Sequence, residues 1–378
     1  MAPVVFGVDR VVAEPGLLRG AKRIGLLTND AVRLATDPAT TSRVALHAAG
    51  LSIVRLFSPE HGISAHGTDG APMTDGTDAL TGLPVTSLYG DRFAPTVESL
   101  GCLDLLLVDL PDIGARCYTY AWTMTHALDA CAARGTPVIV LDRPNPLGGV
   151  LADAEGPMLD LAHASFLGRL DIPVRHSLTI GELARLWQRE RAPHVQLDVI
   201  ACPGWERRMQ WPDTGIPFTP TSPDMRSFES ALCYPGTSLF EGTHVSVGRG
   251  SEAAFRRLSA PWLDAAKVAA ECARAPTLAG VLVTGEGNVL SITVSDRRCV
   301  RPVAVGMTLV SMIASHHPTE FQWADYPTAA NPSGGHHVER LAGTGLVRQH
   351  VDRGEPIPME LLRCDGWTER VRSILLYS

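Results

Sequence analysis

Leu51-Ser-Ile-Val-Arg-Leu-Phe-Ser-Pro-Glu-His-Gly62 decides how the rest of this chain is read. The run through Phe57 has the aliphatic and β-branched content of a strand. Pro59 fixes its own φ and biases Ser58 away from helix, so the chain leaves the strand extended and turns sharply. Gly62 permits a backbone conformation closed to other residues. Glu60 and His61 are thereby expected on a stiff elbow at the carboxyl end of a strand, where open α/β sheets bind their ligands.

The flanking segments extend the pattern. Arg23-Ile-Gly-Leu-Leu-Thr28, Pro84-Val-Thr-Ser-Leu-Tyr89, Asp104-Leu-Leu-Leu-Val-Asp-Leu110 and Pro137-Val-Ile-Val-Leu-Asp142 read as strands. The third is a continuous apolar run of the kind found in central parallel strands. Helices are expected over 39–49 and 119–133. Strands alternating with helices imply a Rossmann-like, doubly wound, mostly parallel sheet. Beyond it, helices are expected over 179–191 and 260–275, and strands over 195–201, 279–284 and 289–295. At 378 residues the chain exceeds the usual single-core limit. The fold class is therefore α/β. Residues 1–155 are expected to form a Rossmann-like domain carrying the elbow, and 156–378 an α+β domain. The joint follows the rigid turn Arg143-Pro-Asn-Pro-Leu-Gly-Gly149, and the Gly/Thr-rich segment 61–83 is read as a functional or mobile loop.

Composition removes several classes of function. A net charge of −7 argues against a nucleic-acid partner, which needs a basic field facing the phosphates. Lys22 and Lys267 are the only lysines among 33 basic residues, a bias that GC-rich coding explains and that would also suit bidentate carboxylate contacts. The eight cysteines are scattered with no C-x-x-C pair, so neither a disulfide framework nor a zinc cage is expected. The first residues lack the charged and apolar regions of a signal peptide, and no apolar run reaches the roughly 18 residues of a membrane span. A cytoplasmic protein with no membrane insertion is expected. There is no G-x-G-x-x-G and no P-loop, so no nucleotide is implied, and no cofactor is expected. His61 and His66, five residues apart in a loop, are weak evidence for a metal, and none is expected.

Three polar clusters fall at predicted strand ends: Glu60 with His61, Asp112 with Arg116, Tyr118 and Tyr120, and Asp142 with Arg143 and Asn145. Singly, each competes with a capping or salt-bridge role; together on one sheet edge they point to a site. Glu60 is the best general acid, because a carboxyl at a partly dry strand end suits proton transfer. Asp112 and Arg116 are expected to pair and fix their loop, and Tyr118 or Tyr120 to face a sugar ring. A second dense stretch, Tyr234-Pro-Gly-Thr-Ser-Leu-Phe-Glu-Gly-Thr-His-Val-Ser-Val-Gly-Arg-Gly-Ser251, reads as a ligand-shaped loop containing Glu241, His244 and Arg249. Two carboxyls flanking a bond are the equipment of glycoside hydrolysis, and Glu241 is the natural second one. Trp205, Trp211 and Ser222-Pro-Asp224 offer aromatic platforms and polar contacts, with a core role competing for the tryptophans.

Phe57-Ser-Pro-Glu-His-Gly62, Asp112-Ile-Gly-Ala-Arg-Cys-Tyr-Thr-Tyr120, Leu141-Asp-Arg-Pro-Asn-Pro-Leu-Gly-Gly149, Thr179-Ile-Gly-Glu-Leu-Ala184, Tyr234-Pro-Gly-Thr237, Glu241-Gly-Thr243 and Gly248-Arg-Gly250 occur here in one order. In this the chain resembles the exo-β-N-acetylmuramidases, a family first catalogued as a domain of unknown function. The resemblance spans almost the whole chain. It implies removal of N-acetylmuramic acid from the non-reducing end of peptidoglycan fragments, in a cleft between a Rossmann-like and a smaller domain. It implies Glu60 as the leading catalytic residue, with Glu241 or Asp112, or the sugar's own 2-acetamido oxygen, completing the reaction. Asp112, Arg116, Tyr118, Asp142, Arg143, Asn145, Glu241 and Arg249 are implied as cleft residues; His61 and His244, from their places beside Glu60 and Glu241 and not from the resemblance, are expected as further substrate contacts. An arginine would suit the lactyl carboxylate of muramic acid. The chain departs from the family's usual pattern at Ser64, Asp224 and His244. A sugar-binding protein without catalysis, and a hydrolase of another acidic glycan, are the competing readings.

Overall fold

The computed structural model describes residues 2–378. Its strands in chain order are β1 Ile24–Leu27, β2 Ile53–Ser58, β3 Gly76–Thr77, β4 Pro84–Ser87, β5 Leu105–Val108, β6 Val138–Leu141, β7 Glu155–Met158, β8 Pro173–Arg175, β9 Leu197–Ile200, β10 Arg257–Ser259, β11 Val281–Glu286 and β12 Val289–Val294. Seven of them form one sheet in the order β3-β4-β2-β1-β5-β6-β9. All its pairings are parallel except that of the two-residue β3 with β4. The strand order reverses between β1 and β5, so this is a doubly wound sheet with its switch point there.

Alternation along the strands feeds two apolar layers. Leu105, Leu107, Ile139 and Leu141 join the cluster of Val8 and Leu46, from helices Gly7–Ala13 and Ser42–Ala48. Leu106, Val108, Val138 and Val140 join that of Met124, Leu128, Leu183 and Leu186, from helices Tyr120–Arg134 and Ile180–Glu190. Both faces are covered, which is why these strands read as continuous apolar runs. The second layer continues without a break into Leu239, Phe240, Val303 and Leu309, so the two halves of the chain share one core.

β9 pairs with β6, so the sheet draws on residues up to Ile200 and passes the expected joint at 155/156. The later part contains the antiparallel sheet β10-β12-β11 and the hairpin β7-β8. It also contains two helices with no strong sequence signal, Phe228–Thr237 and Pro302–His316. They cross where Gly236 meets Gly306; a Cβ on either would overlap the other helix's backbone. Gly236, expected to admit a ligand, admits a helix instead, and Tyr234–Thr237 is helix rather than loop. The Thr179-Ile-Gly-Glu182 motif is a capping box: the Thr179 hydroxyl accepts from the Glu182 amide, and the Glu182 carboxylate accepts from the Thr179 amide. Among the described residues, no helix is long and apolar enough to cross a membrane.

Candidate active site

At the end of β2 the chain turns at once. The Gly62 amide donates to Pro59 O at 3.1 Å and the Gly67 amide to His61 O at 2.9 Å. His61 takes a φ of 64°, a left-handed conformation uncommon outside glycine. Its Nδ1 lies 2.8 Å from Gly67 O. A carbonyl only accepts, so Nδ1 carries the proton and Nε2 faces Asp69 Oδ1 at 4.0 Å. The elbow thus presents Glu60 in a fixed pose. Glu60 Oε1 accepts from the Gly70 amide at 3.0 Å and Oε2 from the Thr119 hydroxyl at 2.7 Å.

The 61–83 segment is not loose. Ala329 N donates to Gly70 O at 2.7 Å, Met73 N to Tyr89 O at 2.7 Å, and the Tyr326 hydroxyl to Asp69 Oδ2 at 2.7 Å. The loop therefore bridges the sheet edge and the C-terminal part of the chain, and it carries Asp69 into the site.

The opposite wall is built on the short turn Ser238–Gly242 that follows helix Phe228–Thr237. Its Glu241 accepts from Arg249 Nε at 2.7 Å. The same guanidinium holds Asp224 Oδ2 at 3.0 Å and Asp69 Oδ1 at 3.1 Å, over the ring of Phe255 at 5.1 Å. One cation thus serves three carboxylates. Burial, opposed by Arg249 and reinforced by the charge of Asp69 and Asp224, pushes the Glu241 carboxyl up to about 7. Although burial works against it, the charge of Glu241 and Asp69 holds the Arg249 guanidinium protonated beyond its ordinary range.

Glu60, His61, Asp69, Glu241 and Arg249 all line one cavity of about 750 Å³. Tyr89, Tyr118, Tyr234 and Tyr326 complete its walls. Burial raises all four phenols, so they stand as neutral hydroxyls. Burial also pushes the His337 imidazole down to about 4, leaving a neutral ring stacked on Tyr326 with centroids 4.7 Å apart. Glu60, His61 and Asp69 bring one ligand atom each within 4.8 Å of one another, and Arg249 already supplies a positive charge at Asp69.

Other expected site residues have structural partners. Asp112 does not pair with Arg116: its Oδ2 accepts from the Gly114 amide at 2.7 Å and lies 3.3 Å from His176 Nε2. It faces a separate crevice of about 490 Å³ that also contains Trp211 and Phe218. The fully buried Arg116 donates to the carbonyls of Pro157 and Ile172 at 2.8 Å and of Leu341 at 3.0 Å. Arg143 makes a fork with Asp109, at 2.6 and 3.0 Å. Asn145 bridges Leu178 O and Leu147 N, both at 2.9 Å. Asp142 is consumed by four donors and lines neither this cavity nor the Asp112 crevice. His244 is exposed and lies outside the cavity lining. Trp205 is core, edge-on to Tyr377 at 4.8 Å. The common cause is that a sheet edge is rich in unpaired backbone groups, and buried polar side chains must satisfy them. Of the two tyrosines, Tyr118 faces the cavity while Tyr120 stands outside its lining; their hydroxyls donate to Thr221 Oγ1 and Thr221 O, each at 2.7 Å.

Sequence reasoning passed over Asp69, Thr119, Tyr89, Tyr326 and His337. Asp69 had a signal, since it sits in the long loop behind Glu60; Tyr326 and His337 lie in a stretch without periodicity and had none.

Two buried carboxyls in one cavity at the edge of a doubly wound sheet define the equipment of a glycoside hydrolase. The sequence matches the model "Exo-beta-N-acetylmuramidase NamZ, N-terminal" over residues 24–229 and its C-terminal counterpart over 232–377. The chain belongs to this NamZ exo-β-N-acetylmuramidase family. The peptidoglycan β-N-acetylmuramidase NamZ of Bacillus subtilis strain 168 is 33% identical over 366 residues, 94% of this chain and 86% of that protein. A crystal structure of a DUF1343 family protein from Bacteroides fragilis NCTC 9343 is similar across 100% of both chains, with 27% identity and a TM-score of 0.86. A second such protein from that strain, 24% identical with a TM-score of 0.71 over 100% of this chain and 99% of its own, shares the fold.

Proposed function

We propose that this chain is an exo-β-N-acetylmuramidase, hydrolysing the β-1,4 bond that joins a non-reducing terminal N-acetylmuramic acid to the rest of a peptidoglycan fragment. The observation that carries the reading is that Glu60 and Glu241 share one cavity, with Asp69 close to Glu60 and joined to Glu241 by Arg249. In this mechanism Glu60 donates its proton to the leaving oxygen, oriented for that by the Gly70 amide and the Thr119 hydroxyl. Glu241, poised near neutrality, takes the proton of the attacking water. Asp112 faces a different crevice and has no part in the reaction. Arg249 is already engaged by three carboxylates. Arg340 lines the same cavity and makes no ion pair among the described residues, so it is our candidate for the lactyl carboxylate.

The test is chromophore release from para-nitrophenyl β-N-acetylmuramide, with the N-acetylglucosaminide as control. Muramide-selective release by wild type, lost in Glu60→Gln, is expected. Folded wild type that binds the muramide yet releases nothing would leave a sugar-binding protein in its place.

A further inference from the structure

We infer that the crevice at the switch point of the sheet is a second binding site, built for a small zwitterion with an apolar body, of which a free apolar α-amino acid is the simplest. The inference goes beyond the muramidase reading and does not depend on it. In doubly wound sheets, ligands bind at the carboxyl ends of the strands where the strand order reverses. Here that place lies between β1 and β5. Ala31 and Arg33 beyond β1, Pro111 and Asp112 beyond β5, and Pro144 and Pro146 beyond β6 line the crevice of about 490 Å³. The catalytic cavity is set to one side, with Glu60 and His61 beyond β2 and Tyr89 beyond β4. Among the described residues, none lines both spaces.

Three residues of the crevice's lining have bonding capacity that the protein leaves unused. The Asp112 side chain is 3% exposed, and both of its polar contacts fall on Oδ2, the Gly114 amide at 2.7 Å and His176 Nε2 at 3.3 Å. His176 Nδ1 accepts from the Leu178 amide at 3.1 Å, so the ring proton facing Asp112 stands on Nε2. Asp112 Oδ1 is buried and has no donor. A buried carboxylate oxygen without a partner is costly, and a bound ammonium would relieve that cost. Two donors lack an acceptor of their own. The buried indole N–H of Trp211 has none. The half-buried Arg33 donates from Nη1 to Ala39 O at 2.7 Å and makes no ion pair among the described residues. Arg143, by contrast, is already neutralised by Asp109. The same lining includes Phe218, edge-on to Trp211 with centroids 5.9 Å apart, and Phe6, also 5.9 Å from that indole. An acceptor for a cation, two donors for an anion and aromatic walls for the remainder together describe a zwitterion with an apolar body.

The experiment titrates the full chain by calorimetry with L-phenylalanine, phenethylamine and 3-phenylpropanoate, which present both charges, the ammonium alone and the carboxylate alone. L-phenylalanine is expected to bind at least about 10-fold tighter than either. Arg33→Gln should weaken it about 10-fold, to the level of phenethylamine, and Asp112→Asn should bring it to the level of 3-phenylpropanoate. The Arg33 variant decides the question if Asp112→Asn fails to fold, because its side chain is half-buried and bears one hydrogen bond. No binding of L-phenylalanine at millimolar concentration would overturn the inference. So would phenethylamine binding as tightly as L-phenylalanine, or L-phenylalanine affinity that survives Arg33→Gln. Binding of these probes needs no turnover, so failure of the muramidase reading shows separately, as wild type that releases no chromophore.

Discussion

Glu60 and Asp142 occupy comparable places, each an acid just beyond the carboxyl end of a parallel strand, and the fold uses them in opposite ways. Asp142 is fully buried and accepts from the Arg143 and Gly181 amides at 3.0 and 2.8 Å, the Thr179 hydroxyl at 2.8 Å and the Tyr377 hydroxyl at 2.6 Å. It ties the C-terminal tail and the start of helix Ile180–Glu190 to the sheet. Glu60 is held by Gly70 and Thr119 and faces a cavity. Residue type and strand position do not separate the two. The following segment does: after β6 the chain packs helix and tail over the acid, whereas after β2 the left-handed His61 swings the backbone aside.

The largest expected effect breaks this comparison if it fails. Glu60→Gln should lower kcat by about 10³-fold, the range of a lost general acid, with little change in the urea midpoint. Asp142→Ala should do the reverse, with kcat per folded molecule within about twofold and stability reduced by about 3 kcal/mol, since it strands buried donors. A correctly folded Asp142→Ala protein without turnover would show that the two acids do not divide the work this way.

Next in size is the packing that carries Glu241. Gly306→Ala forces a methyl group into the backbone of Gly236 at the helix crossing, and overpacking of this kind costs about 1–3 kcal/mol. Thermal unfolding measures it. Because Ser238–Gly242 follows directly on that helix, kcat/KM should fall as well, whereas an equally destabilising change near Asp142 should spare it.

Most of the sheet was legible, because parallel strands buried on both faces must be continuous apolar runs: Leu105–Val108 and Val138–Leu141 fall inside the segments read as strands. The Glu60 elbow was legible for a similar reason, since Pro59 and Gly62 constrain the backbone whatever surrounds them. Side-chain destinations were not. Arg116 and Arg249 both follow motif glycines, yet one guanidinium binds backbone carbonyls and the other three carboxylates. That outcome depends on β7, β8 and the segment around Leu341, which only the tertiary fold brings to Arg116. Gly236 shows the converse, a glycine whose meaning changed once a helix lay against it.

Asp69→Asn sharpens the contrast within the cavity. Its charge helps raise Glu241, so neutralising it should lower the Glu241 carboxyl and move the corresponding limb of the kcat/KM profile to lower pH, by about half to one unit. A profile that does not move would remove Glu241 from the reaction while leaving Glu60 in place.

The last effect is on stability against pH, and its sign follows from burial. Glu241 rises from an ordinary 4.5 to about 7 and Asp142 from 3.8 to about 6. Through this window the folded protein holds protons that the unfolded chain has released. Unfolding then releases protons, and stability falls as pH rises. The contribution of both carboxyls is complete below about pH 4 and lost by about pH 7, opposite in sign to that of an ion-paired surface carboxylate such as Asp213, which Arg297 holds down at about 2. Glu241→Gln should therefore flatten the decline of the unfolding free energy between pH 4.5 and 7, and Asp142→Asn should flatten its more acidic part. Denaturant titrations at successive pH values separate the two. If Glu241→Gln leaves the slope intact, Arg249 keeps that carboxylate ionised despite its burial, and Glu241 stands as a base across the whole window.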